Sequence, residues 1–318
     1  MIADPPTMRH SRILGVGEHR PAHVMSNAEL PAELETDDMW IRQRTGIERR
    51  HLAADDETLV SMASSAATKA LADSGVDPAR VGQVILATCS MPDPIPGGAP
   101  RIADAIGAPG AGAYDLNGAC AGFCYALSAA SNAVRTGAAD YVVVAGAERL
   151  SRWLDWTDRS SAILFGDGAG AVVVGPSDRP GIGPLVSGSD GTHFELIAMS
   201  ETHHVRLDGP AVFRWATTTL GEVARQVCAA AGVEPTDLAA VVLHQANLRI
   251  INAIAKELGA TNAVVAADVV DTGNTSAASV PLALARLRRE GQVASGDLAM
   301  TLAFGAGLTW AGAVIEVP

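Results

Sequence analysis

Cysteine is scarce in this sequence, with four in 318 residues: Cys89, Cys120, Cys124 and Cys228. None forms a Cys-X-X-Cys pair, and four thiols are too few to frame a small disulfide scaffold, so the sequence excludes that class and argues against zinc. Charge is scarce too, at 18% of residues, and positive charge scarcer still, with 23 Lys and Arg against 35 Asp and Glu and a net charge of −12. That balance argues against general nucleic-acid binding, which needs many cations to displace phosphate counterions. The opening MIADPPTMRHSR lacks the apolar core of a secretory leader, and with reduced thiols the reading expects a cytoplasmic protein. Long apolar runs are lacking apart from LNGACAGFCYALSAASNAV (116–134), which carries no charge. Asn117, Ser128, Ser131 and Asn132 interrupt it, and its small residues fit a helix buried inside a large fold better than a membrane span.

Hydrophobic types, at 48%, and 32 glycines fill what remains. A chain of this length and composition buries a large core, as one big unit or two, and cannot be disordered. Short β-branched runs at 81–89, 141–148, 170–175, 238–246 and 298–306 read as buried strands. Helical patterns at 58–75, 118–137, 217–232, 248–259 and 279–291 lie between them, the first and third closed by Gly75 and Gly232 at C-cap positions. This alternation predicts an α/β fold with mainly parallel sheets. Two stretches echo each other: ADSGVDPARVGQVILATCS (72–90) and AAGVEPTDLAAVVLHQAN (230–247). FGDGAGAVVV (165–174) and FGAGLTWAGAVIEV (304–317) form a second echo. The pairs read as an internal duplication, the alternative being chance recurrence of a common helix–turn–strand joint.

Three residues stand out chemically. Cys120, in DLNGACAGFCYAL, follows a predicted strand and opens a helix, whose N-terminal N–H groups favour a thiolate. Gly118 and Gly122 leave space beside it. It reads either as an activated nucleophile or as a small buried hydrophobe. Cys124, one turn into the helix, reads as packing. His244 ends an apolar strand, where open α/β sheets keep their sites, although a lone histidine also serves structural roles. Asn274, in DTGNTSAAS, offers either a neutral amide donor or an ordinary turn residue. GDGAG and FGAG precede strands rather than helices, which excludes a dinucleotide loop. His203 and His204 read as exposed loop residues.

With these residues in view, the chain resembles β-ketoacyl-acyl-carrier-protein synthase III of the thiolase superfamily. WIRQRTGI (40–47), ACAGF (119–123), FGDGAGA (165–171), HQANLRI (244–250), GNTSAAS (273–279) and FGAGLTW (304–310) carry the resemblance, in family order from about residue 11 to the end. It implies a five-layered αβαβα fold of two pseudo-repeated halves, 1–178 with the nucleophile and 179–318 with His and Asn, working as a homodimer. It implies a Cys120–His244–Asn274 triad, with an oxyanion hole from the N–H groups of Cys120 and Ala306. Trp40 and Arg159 match a pair that sandwiches adenine, which suits an aromatic face and a guanidinium plane. Arg44 matches a CoA phosphate contact, while Asn247 and Gly209 match pantetheine contacts. Trp40 taken alone reads as a half-buried packing residue. Arg214, Arg249 and Lys256 match a basic rim for acyl carrier protein, although basic residues at helix ends are often plain solvated caps. Phe165 and Ile95 match the acyl pocket, Ile95 as the residue reaching into the partner's tunnel.

The implied activity is condensation of an acyl-CoA starter with malonyl-carrier protein, priming fatty-acid or aromatic-polyketide assembly in the manner of actinobacterial members. No metal or redox cofactor is implied. The sequence departs from the family pattern at Ala306, where glycine is frequent, and at Glu257, where a second lysine is frequent. Its 189–209 segment is short. Competing readings are acyl transfer without decarboxylation, which retention of Asn274 opposes, and a non-catalytic partner subunit, which should lack Cys120. A papain-like hydrolase would require a different sequence context and disulfides.

Overall fold

The computed structural model describes residues 8–93 and 95–318. Strand β1 (His10–His19) leads to a small antiparallel pair, β2 (His23–Ser26) and β3 (Arg49–Leu52), which brackets helix α1 (Asp38–Thr45). Then come α2 (Leu59–Ser74), β4 (Val81–Ala87), α3 (Ala99–Ala105), β5 (Gly112–Leu116), α4 (Gly122–Arg135), β6 (Tyr141–Arg149), α5 (Arg159–Ala162) and β7 (Asp167–Ser177). The chain continues through β8 (Val186–Gly188), the hairpin β9 (Ile197–Met199) and β10 (Val205–Leu207), α6 (Gly209–Ala231), β11 (Ala240–Leu243) and α7 (Leu248–Leu258). It closes with β12 (Val264–Val265), α8 (Val269–Thr272), α9 (Ser279–Arg289), β13 (Leu298–Gly305) and β14 (Thr309–Glu316).

Two five-stranded sheets result, ordered β1-β7-β6-β4-β5 and β8-β14-β13-β11-β12. Their directions match strand for strand. β4 is parallel to β5 and β6 while β7 runs antiparallel to β6 and β1. Equally, β11 is parallel to β12 and β13 while β14 runs antiparallel to β13 and β8. Half of the pairings are therefore antiparallel, which corrects the expectation of mainly parallel sheets. In each half the third core strand returns into the fourth at the same end of the sheet, through a short turn between β13 and β14 and through a loop carrying the short α5 between β6 and β7. Only a connection that crosses back to the other end makes neighbours parallel.

Helices α2 and α3 cover the outer face of the first sheet, and α6 and α7 that of the second. Helices α4 and α9 touch both sheets and form the middle layer, which gives five layers, αβαβα. The uncharged stretch that begins at Leu116 is thus the last residue of β5, the turn after it and most of the central helix α4, and among the described residues no helix is long and apolar enough to cross a membrane. Small residues are required there. A Cβ on Gly146 of β6 would lie 2.4 Å from the Ala277 carbonyl oxygen, so only glycine lets the segment before α9 sit on the first sheet.

Caps set the helix ends. Thr58 Oγ1 accepts from Ser61 N at 3.0 Å to start α2, and Gly75 (φ 68°) ends it in the left-handed region. Helix α6 starts at Gly209, eight residues before the expected 217: Asp208 accepts from Ala211 N at 3.0 Å and Pro210 occupies the first turn.

Candidate active site

The turn Asn117–Gly118–Ala119–Cys120 joins β5 to α4. Asn117 Oδ1 accepts from Ala119 N at 3.0 Å, and Ala119 adopts φ 46°. The second half repeats this between α8 and α9: Asn274 Oδ1 accepts from Ser276 N at 2.8 Å, and Ser276 adopts φ 48°. Two left-handed non-glycine residues at equivalent places are backbone strain held by the surrounding fold. Cys120 follows the first of them and Ala277 the second.

The Phe-Gly turns brace these elbows crosswise. Phe165 bridges to Asn274, with Gly166 N donating to Asn274 O at 3.0 Å and Asn274 N to Leu164 O at 2.8 Å. Gly305, at the end of β13, lies against the other elbow, where an added Cβ would come within 2.7 Å of Cys120 N. Gly305 is thus the glycine that makes room at the nucleophile. Gly118 instead faces Gly122 and Tyr125, and a Cβ on Gly122 would make only ordinary contacts with Ala87 and Ala277. This corrects the roles expected for that pair.

His244 follows β11, its N–H donating to Leu302 O at 2.8 Å. Its ring stands edge-on to Phe304 at 5.2 Å between centroids and is 2% exposed. Burial pushes its pKa down to about 3, so the imidazole is neutral. Nδ1 lies 2.7 Å from Ser279 Oγ, which already receives Gln245 N at 3.3 Å. A hydroxyl that accepts there still has its own proton for Nδ1, and with that donation the imidazole proton lies on Nε2. Gln245 is fully buried and also receives Val269 N at 3.1 Å, tying the His244 loop to the helix that delivers Asn274. Because Asn274 spends its carbonyl oxygen on Ser276, its amide nitrogen remains as a donor.

Cys120, His244 and Asn274 all line one cavity of ≈ 730 Å³, with Phe165, Phe304 and Gly305 at its floor and Trp40, Arg44, Arg159, Gly209, Arg214, Asn247 and Arg249 toward its mouth. The expected thiolate is not the resting state. Burial pushes the Cys120 thiol up to about 12, against a hydrogen bond with Ser276, and the Glu148 carboxylate adds to the rise. The sulfur sits in a short 3₁₀ turn (Ala119–Ala121) ahead of α4, where loss of water outweighs the helix end.

The same architecture extends across known proteins. Family models for 3-oxoacyl-[acyl-carrier-protein (ACP)] synthase III match residues 114–191, and for its C-terminal part residues 228–317. A β-ketoacyl-[acyl-carrier-protein] synthase III of Streptomyces coelicolor is 48% identical over 312 residues, covering 97% of this chain and 99% of the relative. The chain belongs to the β-ketoacyl-acyl-carrier-protein synthase III family. The priming β-ketosynthase of the R1128 polyketide pathway superposes with a TM-score of 0.97 at 44% identity, covering 99% of this chain and 98% of that one. The corresponding Aquifex aeolicus synthase gives 0.92 at 39%, covering 96% and 99%. As a member of the family, the protein is a condensing acyltransferase with the thiolase-like fold.

At the mouth of the synthase cavity, the guanidinium carbon of Arg159 lies 5.2 Å from the Trp40 ring centroid and that of Arg44 5.6 Å. Both cations rest on the indole. Asn247 caps α7, accepting from Arg249 N at 2.9 Å, and donates to Arg44 O at 3.0 Å, so both ends of its amide are engaged. Gly209 faces open space. Arg214, Arg249 and Lys256 are exposed and make no ion pair among the described residues; Arg249 lies over Phe213 at 4.8 Å. Lys256 does not line the cavity, and Glu257 beside it pairs with Arg225 at 3.1 Å.

Phe165 packs with Leu150, Leu154 and Val205. Ile95 is 86% exposed and lies outside the cavity of its own chain. Ala306 is free of left-handed strain, which falls on Gly307 (φ 74°) and Leu308 (φ 41°) instead. The 189–209 segment folds as a 3₁₀ stretch and the β9–β10 hairpin, with His203 exposed at its turn and His204 half-buried. Among the described residues no His/Cys/Asp/Glu group could hold a metal.

Sequence reasoning passed over Gln245, Ser279, Gly305 and, behind Cys120, the fully buried Glu148. Gln245 lies inside the quoted string HQANLRI, and its place beside His244 was the available signal.

Proposed function

We propose that Cys120 attacks an acyl-CoA thioester, retains the acyl group and releases CoA, the thiol proton ending on the CoA sulfur. Malonyl-acyl-carrier protein then loses CO2, and the electrons of the broken C–C bond become an enolate on the thioester oxygen. His244 Nε2–H and the Asn274 amide donate to that oxygen. Both are uncharged, so they stabilise charge as it develops without neutralising the carboxylate beforehand. The enolate carbon attacks acyl-Cys120, the tetrahedral oxyanion is held by the N–H groups of Cys120 and Ala306, and collapse breaks the C–S bond. This releases the 3-ketoacyl-carrier protein and a Cys120 thiolate that takes a proton from solvent to restore the thiol. Every electron pair moves within two thioesters, so the scheme calls for no redox cofactor or metal.

The single observation behind this reading is that a thiol, a neutral buried imidazole and an amide with a free nitrogen share one cavity whose mouth holds an indole and exposed arginines. On so acidic a chain, Arg214, Arg249 and Lys256 offer an acidic carrier protein a local positive rim. Trp40 and Arg159 take the adenine, Arg44 a phosphate, and Asn247 and Gly209 the pantetheine arm. The working form is a cytoplasmic homodimer, in which Ile95 of one copy enters the acyl tunnel of the other. Its 86% exposure, and the unpaired edge of β5 with half-exposed Tyr114, support that assembly. The test is Cys120→Ser incubated with acyl-CoA and weighed intact: the acyl mass increment should vanish, and its persistence would mean another residue carries the acyl group.

A further inference from the structure

A buried cation stands beside the loop that carries Asn274. Arg50, on β3, is 0% exposed and joins no ion pair among the described residues. Its stem runs along the bridge between Phe165 and Asn274: a Cβ added to Gly273 would lie 3.2 Å from Arg50 Cβ, and one added to Gly166 3.3 Å. One nitrogen makes its hydrogen bonds. Nη2 donates to Asn27 Oδ1 at 2.7 Å and to Ile163 O at 3.0 Å, while Nε and Nη1 have no partner among the described residues. Burial brings the guanidinium pKa down to about 10, which leaves it a cation at neutral pH. A charge held away from water without an anion costs stability, so the join that Nη2 makes is what the residue contributes.

That join lies between two parts of the site. On one side, Ile163 is followed by Leu164, whose carbonyl accepts Asn274 N at 2.8 Å, and by Gly166, whose N–H donates to Asn274 O at 3.0 Å. On the other side, Asn27 is 5% exposed, and its Nδ2 donates to Asp38 Oδ1 at 2.9 Å and to Ile47 O at 2.8 Å. Those two residues open and follow α1, the helix with Trp40 and Arg44.

We infer that Arg50 is a positioning residue for Asn274: by holding Ile163 O to Asn27 it fixes the 163–166 segment, and with it the backbone from which the Asn274 amide reaches the enolate. The inference rests on the proposed donor role of Asn274. Arg50 does not line the cavity, so it acts only through the groups it holds. Without it, Ile163 O and Asn27 Oδ1 lose a donor in buried surroundings, and the segment bonded to both backbone faces of Asn274 is free to shift. Cys120 sits on the other elbow, against Gly305 of β13, and shares none of these bonds. The effect therefore falls on the step that uses the amide.

The experiment compares Arg50→Met with the wild-type full-length enzyme in the two half-reactions, each rate divided by the amount of acyl-enzyme formed at completion. CO2 release from malonyl-carrier protein should fall on the order of 10- to 100-fold, as for a displacement of about 1 Å at a reacting group, while acylation by acyl-CoA should fall by less than about threefold. In an Asn274→Asp background the same change should cost less than about threefold more in CO2 release, because the group it positions is already gone. Equal losses in both half-reactions, unchanged CO2 release, or a fully multiplied loss in the Asn274→Asp background overturns the inference, since an arginine serving architecture alone gives these results. If Arg50→Met does not fold, Arg50→Lys takes its place. The ammonium ends one bond short of Nη2, so the same selective loss should appear in smaller measure, and unchanged CO2 release there overturns the inference equally. Failure of the donor reading looks different: Asn274→Asp alone would then slow both half-reactions alike, whatever Arg50 does.

Discussion

Asn274→Asp separates chemistry from architecture at one atom. The native side chain uses Oδ1 to hold Ser276 N at 2.8 Å, which leaves its nitrogen for the enolate of the proposed scheme. Aspartate keeps an oxygen for Ser276, so the φ 48° elbow retains its support, but the nitrogen donor becomes a second acceptor. Loss of one preorganised donor to a developing oxyanion costs about 10²–10³ in rate, or roughly 2.7–4 kcal/mol. The carboxylate adds repulsion to an enolate, so decarboxylation should fall by at least that factor. Acylation by acyl-CoA makes no use of the amide in the proposed scheme and should fall by less than about tenfold, roughly 1.4 kcal/mol. Two assays read the halves apart: CO2 release from malonyl-carrier protein, and intact mass of the acyl-enzyme. Asn274→Ala serves as the contrast, losing the donor and also leaving Ser276 N without its acceptor, at about 1–3 kcal/mol of stability read as a lower Tm. Equal losses in both half-reactions of Asn274→Asp would refute the donor role and leave the residue as a turn former.

Three further outcomes follow from the geometry. His244 has a folded pKa of about 3 against an ordinary 6.5, so between those values the unfolded chain binds the extra proton; stability should rise with pH across that window by up to about 1.4 kcal/mol per unit and level off above 6.5. Urea midpoints at pH 4, 5 and 7 check this, and His244→Gln should flatten the acid limb. Gly305→Ala puts a Cβ within 2.7 Å of Cys120 N, so acylation should be lost in whatever protein folds; wild-type acyl-enzyme formation would show that the two turns do not pack as described. Trp40→Ala should raise KM for acyl-CoA while leaving CO2 release from malonyl-carrier protein unchanged, and an unaltered KM would return Trp40 to a packing role.

The buried elements were largely legible in the sequence. Runs such as Tyr141–Arg149 and Leu298–Gly305 are too apolar for anything but a covered strand, and Gly75 and Gly232 mark true helix ends. Strand direction was not legible, because a run of Val, Ala and Gly reads the same in either sense and orientation depends on the connection. β1 escaped notice since HSRILGVGEH mixes charge and glycine with its apolar residues. Helix α6 was begun at its threonines rather than at Asp208 and Pro210, where the cap chemistry lies. At the site, residues carrying chemistry in their own motif were visible. Those whose meaning depends on a distant partner were not: Glu148 and Ser276 are 128 positions apart, and His244 and Ser279 are 35 apart. No local pattern encodes such a meeting.

The repeated elbow has one last implication. The two matching halves give this chain two similar sockets, each an asparagine and a left-handed residue ahead of a central helix, and a single sulfur is seated in the first. The second holds no sulfur, and in the proposed scheme it is its asparagine that serves the enolate. Ala277 occupies the seat that mirrors Cys120, its N–H turned toward Glu148. The protein is therefore built as a pair of unequal siblings, of which only one carries the sulfur.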